Sequence, residues 1–388
     1  MTDDRRSTGR WSPAGPLPWE RILSGAASGA VRLADGRVML AGGADAALTA
    51  QDGTAFFDPR DGSWSQGRPL ATPRRMHSTT MLADGRVLVT GGFTGPNAYP
   101  VRPLATAEVY DPASGDWASA GELREARCGH SATLLPDGRV LVAGGTGRRS
   151  ADSERSLYSA ELFDPLLPGW SKAWDMTDGR SFHPAAALPD GRVLVAGGWV
   201  ATRRDGRAGS ALAYGECYDP ATDTWTPTGS LTAPRAGHEL TVLADGSVLA
   251  TGGSDGEGGA DGRLDPYSKA TAERWYPEDG GGRWSREHDM PCGRTQHRAV
   301  RLRTGEVLVM GGGNDLLADA GYRSAARYDP ETRHWTQVPG MTVGRTDFAA
   351  IALSDGRVLV AGGTVRSGPA TPTGAPHLLT ATSELFVL

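Results

Sequence analysis

The chain has 388 residues, 39% of them hydrophobic, and a formal net charge of −5. That balance argues against a nucleic-acid binder, which needs a basic stripe, and no apolar run approaches the length of a membrane span. The first twenty residues lack the apolar stretch of a secretory signal, and the three cysteines, Cys128, Cys217 and Cys292, are odd in number and scattered, so free thiols and a cytoplasmic location are expected.

In chain order, residues 1–8 read as a disordered tail and residues 9–388 as one domain, because a single unit recurs from end to end. A Trp followed ten positions later by an Arg occurs seven times, as Trp11/Arg21, Trp64/Arg74, Trp117/Arg127, Trp170/Arg180, Trp225/Arg235, Trp284/Arg294 and Trp335/Arg345. Between successive pairs stands an apolar stretch, an Asp-Gly or its equivalent, a second apolar stretch and a Gly-Gly, as in LPDGRVLVAGG from Leu135. Asp-Gly between half-apolar runs is a hairpin signal. A variable loop then leads to an aromatic before Asp-Pro, as in Glu161–Pro165, and a tight turn delivers the Trp. Each unit therefore predicts four short antiparallel strands. No stretch has sustained helical periodicity, so the fold class is all-β. One four-stranded sheet cannot bury both faces, whereas seven packed radially can.

Closure is legible as well. Ser383–Phe386 matches the third strand Ala160–Phe163, but no Trp follows it. The missing piece is Gly9–Gly15, which matches Gly115–Gly121. The N-terminal segment is thus expected to supply the outer strand of the last blade and lock the ring.

These residues resemble the kelch β-propeller family: Gly-Gly, an aromatic before Asp-Pro, Trp, then Arg-x-x-His opening the next repeat. The resemblance covers about Trp11 to Leu388 and implies a seven-bladed propeller. It is specific to the fold and to no function.

On such a scaffold the variable loops and the Arg-x-x-His positions share one face, and any site is expected there, around the axis. His77, His130, His183, His238 and His297 occupy one equivalent position in five consecutive units. Either each bonds a neighbouring blade, or imidazoles gathered at one mouth hold copper, iron or zinc. Arg74, Arg127, Arg180, Arg235, Arg294 and Arg345 either hold loop carbonyls or present guanidinium groups to an anionic ligand. Phe93 and Trp199 follow a Gly-Gly and should project toward the mouth. Trp174, Trp199 and Trp275 lie outside the repeated Trp set, as a stacking surface or as loop packing. Asp347-Phe348 replaces the Gly-His pair in the last unit, and Ser28 stands for His in the first. Residues before the His position, Met76, Gly129, Phe182, Gly237 and Gln296, vary in size as a pocket lining would.

Galactose oxidase and its radical-copper relatives have a propeller that looks similar. His130 and His183 match the His of their motif and Trp199 loosely matches their stacking Trp. No His here follows a Tyr and Cys128 has no evident Tyr to cross-link, so a Tyr-Cys radical site does not carry over. Plant nitrile-specifier proteins are similar in being stand-alone, but Glu257, Asp261 and Asp265 match their iron motif only with Asp in place of His. No nucleotide fingerprint or nucleophile elbow occurs.

Two functions follow. One is a small-molecule enzyme of bacterial secondary metabolism, an oxidoreductase with a His-bound metal and a substrate that is anionic if the arginines face it. The alternative is a non-catalytic propeller presenting its loop face to a peptide, a protein or an anionic ligand. The absence of an attached adaptor segment favours the enzyme, acting as a monomer.

Overall fold

The Asp-Gly hairpin holds its shape through one short circuit. In Leu135–Arg139, Gly138 adopts φ +89°, the Leu135 amide donates to the Arg139 carbonyl, and Asp137 accepts from the Arg139 amide and pairs with its guanidinium at 2.6 Å. The flanking strands Ser131–Leu134 and Val140–Ala143 pair antiparallel, followed by Ala160–Phe163 and Trp170–Ala173. The computed structural model repeats this four-stranded sheet seven times and describes residues 8–23, 30–96, 102–150, 153–167, 169–200, 209–255, 268–278, 281–314, 321–366 and 377–388. Residues 1–7 of the expected tail, Ser28, and Glu257, Asp261 and Asp265 lie outside the described residues.

The first strands of blades 1 to 7 begin at Ala30, Ser78, Ser131, Ala185, Glu239, Arg298 and Ala349. Each touches the first strand of the next blade, and that of blade 7 returns to that of blade 1, so these strands surround the axis. The seven-bladed propeller is closed as the sequence implies. Arg10–Ala14 pairs with Ser383–Val387, Trp11 opposite Phe386, as the outer strand of blade 7.

The core lies between the sheets. Leu88 and Val109 of blade 2 pack with Val140, Val142 and Phe163 of blade 3, each at most 7% exposed. Each repeated Trp covers the aromatic of its third strand, as in Tyr110–Trp117 and Phe163–Trp170 with ring centroids 5.2 and 5.1 Å apart. Except at Trp284, the indole N–H reaches back to the preceding blade: Trp117 donates to the Arg68 carbonyl at 3.0 Å and Trp335 to that of His288 at 2.8 Å. Trp275 belongs to this system. It is fully buried opposite Trp284 and takes the place of Phe163 in blade 5. Among the described residues no helix is long and apolar enough to cross a membrane.

Candidate functional site

The arginines stand one step before each first strand, where the chain enters a new blade. Arg127 donates to the Gly144 and Ser159 carbonyls at 2.7 and 3.0 Å, to Ser159 Oγ, and to Glu161 Oε1 at 2.8 Å. Glu161 also accepts from the Arg124 and Glu125 amides. The same buried pair recurs as Arg74–Glu108, Arg180–Glu216, Arg235–Glu273 and Arg345–Glu384. In blade 6 the glutamate position is Ala326, and Arg294 is met by Cys292 Sγ and Ser324 Oγ. All six arginines are at most 1% exposed. The expectation of guanidinium groups open to an anionic ligand is therefore corrected: they are buried with their Nη donors bonded inside the blade that each arginine enters, and burial pushes the Arg127 guanidinium down despite Glu161.

The five histidines lie in the seams between sheets. His130 Nε2 is hydrogen-bonded to Thr90 Oγ1 of the preceding blade at 2.9 Å, His183 Nε2 to Ser131 Oγ at 3.1 Å, and His297 Nε2 to Thr251 Oγ1 at 2.8 Å. His77 and His238 meet the backbone of Ala41 and Ala196 at the corresponding place. All five are at most 5% exposed. Burial, reinforced by the arginine of the same unit, pushes His77 and His183 down to about 3 and the other three well below the ordinary range. Phe348 fills the same slot in blade 7, fully buried, and Leu23 packs there in blade 1. A position that accepts Phe and Leu is a seam filler. The expectation that these imidazoles gather at one rim to hold copper, iron or zinc is corrected, and no group of three or more ligating side chains occurs among the described residues.

What surrounds the axis is the residue before each seam filler. Met76, Gly129, Phe182, Gly237, Gln296 and Asp347 all have left-handed backbone, φ from 49° to 64°. They are linked from blade to blade: the Gly129 amide donates to the Met76 carbonyl, Phe182 to Gly129, Gln296 to Gly237, and Leu23 to Asp347, at 2.8–2.9 Å. Gln296 is exposed; Met76, Phe182 and Asp347 are half-buried. The Phe182 ring lies over Gly129, where a Cβ would meet it at 2.8 Å. Phe93 does not reach solvent. It is 1% exposed beneath the Arg75 guanidinium, 4.4 Å from the ring centroid. Burial lowers Arg75, opposed by Cys128, Asp347 and Asp45. Trp199 is half-buried in a short ribbon, Trp199–Val200 against Ser210–Ala211, and Trp174 is 66% exposed on the outer wall.

One residue beyond the seam filler, Arg298 donates to Glu239 at 2.7 Å, to the Phe348 carbonyl at 2.8 Å and to that of Leu23 at 3.3 Å, tying blades 5, 6, 7 and 1 together. Burial pushes Glu239 up, against the pull of Arg298. The sequence reading missed this pair and Arg75. Its signal was a charged residue at places where sister repeats carry Ser, Pro or Ala, and Ile, Cys, Ser, Ala or Thr.

Residues 74–124, 180–232 and 297–342 match the kelch motif, each segment starting at or just after an invariant Arg. The chain is a seven-bladed propeller that carries kelch motifs. This kelch propeller is 26% identical to Kelch-like protein 34 of Homo sapiens over 68% of its own length and 39% of the relative's. It is 23% identical to Kelch-like protein 36 of Rattus norvegicus over 76% and 44%. The kelch chain spans about two fifths of these curated relatives. A fungal alcohol oxidase in complex with copper superposes with a TM-score of 0.73 at 18% identity, over 98% of this chain and 76% of that one, a likeness of fold.

Proposed function

We propose that this kelch propeller is a non-catalytic binding module that takes an extended segment of a partner protein across the loop end of its axis. Phe182 and Met76 would contact apolar side chains of that segment, and Asp347 and Gln296 its polar groups. The left-handed ring carries this reading. Gly129 and Gly237 are the residues that such backbone accepts without cost, whereas Met76, Phe182, Gln296 and Asp347 are held there at about 1–2 kcal/mol each. Strain kept at four places around one opening points to side chains that are needed there.

A small-molecule oxidoreductase with a His-bound metal is the second reading, favoured by the likeness to the copper-bound alcohol oxidase. The donor set does not fit it. The five imidazoles occupy separate seams, and none follows a Tyr.

Selection of short displayed peptides on the immobilised chain tests the proposal. Selected peptides should lose at least about tenfold in affinity, about 1.4 kcal/mol, in Phe182→Gly and Asp347→Gly, with both variants folded at the assay temperature by their unfolding curves. Peptides indifferent to both substitutions, or no selectable peptide, would overturn it.

A further inference from the structure

Two histidines outside the repeated position occupy a quite different setting. His288 and His334 are both exposed on the outer wall, where blade 5 hands over to blade 6, with ring centroids 4.8 Å apart. His288 Nδ1 lies 2.8 Å from the Arg333 carbonyl oxygen, and His334 Nδ1 lies 2.6 Å from that of Thr332. A carbonyl can only accept, so each Nδ1 carries the proton and each neutral ring keeps its lone pair on Nε2. Among the described residues neither Nε2 has a hydrogen-bond partner. An imidazole whose Nδ1–H is fixed by a carbonyl while Nε2 stays open is how histidines are oriented for coordination.

The sister seam supplies an independent observation. Trp117 donates to the Arg68 carbonyl as Trp335 does to that of His288. The side chains brought together there, Arg68 and Asp116, form an ion pair at 2.5 Å. In the blade 5–6 seam, Arg68 and Asp116 are replaced by His288 and His334, two like groups that gain nothing from each other's charge. A cation shared by both would restore the attraction.

We propose that His288 and His334 form a two-imidazole site for a divalent first-row transition cation, copper or zinc, with water completing its coordination. Such an ion bonds imidazole nitrogen at about 2.0–2.1 Å and prefers nitrogen donors of this kind. Bound there, it clips blade 5 to blade 6 and raises the stability of the folded ring, because both ligands are presented together only in the fold.

Calorimetric titration of the chelator-treated chain with CuSO4 and with ZnCl2, and electron paramagnetic resonance of the Cu(II) form, test this. One ion per chain is expected, with hyperfine structure from two nitrogens. Affinity should fall about tenfold or more in His288→Ala and in His334→Ala, and stay unchanged in His377→Ala. Because the nitrogens are counted on the unaltered chain, the outcome does not depend on how the variants fold. Uptake unaffected by either substitution, coupling to a single nitrogen, or no uptake at all would overturn the proposal.

Discussion

A Cβ built on Gly91 would stand 2.8 Å from His130 Cε1 and closer still to the Arg127 carbonyl oxygen. The first glycine of each Gly-Gly is thus the floor on which the next blade's seam filler rests: Gly144 lies under His183, Gly252 under His297 and Gly311 under Phe348. The pairing of Gly-Gly in one repeat with Arg-x-x-His in the next is a single steric contact, made seven times with small variations around the ring.

Gly91→Ala should therefore cost about 3 kcal/mol or more, since φ +57° and a backbone overlap both oppose it. Gly85→Ala, at φ +87° with nothing within 4 Å of the new methyl, should cost only about 1 kcal/mol. Urea unfolding of the two variants measures the difference. Equal losses would mean that the seam relaxes freely.

The arginine–glutamate pairs should behave as coupled groups. Glu161→Ala leaves Arg127 buried without its carboxylate and is expected to cost about 3–5 kcal/mol. The chain has already solved this problem twice. Where the glutamate position is Ala55 or Ala326, the residue three before the arginine is Pro18 or Pro291, so no amide there needs an acceptor. In the other five blades that residue, such as Arg124 or Thr342, donates its amide to the glutamate. Arg124→Pro should consequently destabilise the parent chain but be neutral or stabilising in the Glu161→Ala background. A double-mutant cycle by thermal unfolding checks it, and strict additivity would disprove the coupling.

Acid should unfold the ring well before its carboxylates titrate. The seam histidines have folded pKa values pushed below the ordinary 6.5, to about 3 for His77 and His183. The unfolded chain thus binds more protons below pH 6.5. Their contribution is complete above that pH and is lost as pH falls from 6.5 toward 3, by up to about 1.4 kcal/mol per pH unit for each group. His183→Phe, copying Phe348, should flatten the stability–pH slope between pH 6 and 5 by about one proton. An unchanged slope would show that His183 is protonated in the fold.

At the mouth, Gln296→Gly should stabilise the propeller by about 1 kcal/mol. Its side chain is exposed, its φ of 52° suits glycine, and its amide bond to Gly237 is retained. Weakened peptide binding together with higher stability is the signature expected of strain kept for a function. A destabilised variant would mean that the side chain supports the ring.

The all-β repeat, the hairpins, the seven blades and the closing strand Arg10–Ala14 were determined by the sequence alone, because each follows from local turn chemistry or from a period that no other architecture satisfies. Even the joint change in two blades, Glu to Ala on the third strand and Pro three residues before the arginine, is visible in seven aligned repeats, once the bond it serves is known. The direction of side chains was decided only in three dimensions. His130 and Arg127 carry the same letters whether they face a pore or a seam, and only the packing of adjacent sheets turns them inward, where Thr90 meets the imidazole and Glu161 the guanidinium. His288 and His334 are 46 residues apart, and no local pattern links them; the indole of Trp335, bonding back to the previous blade, brings the two rings together.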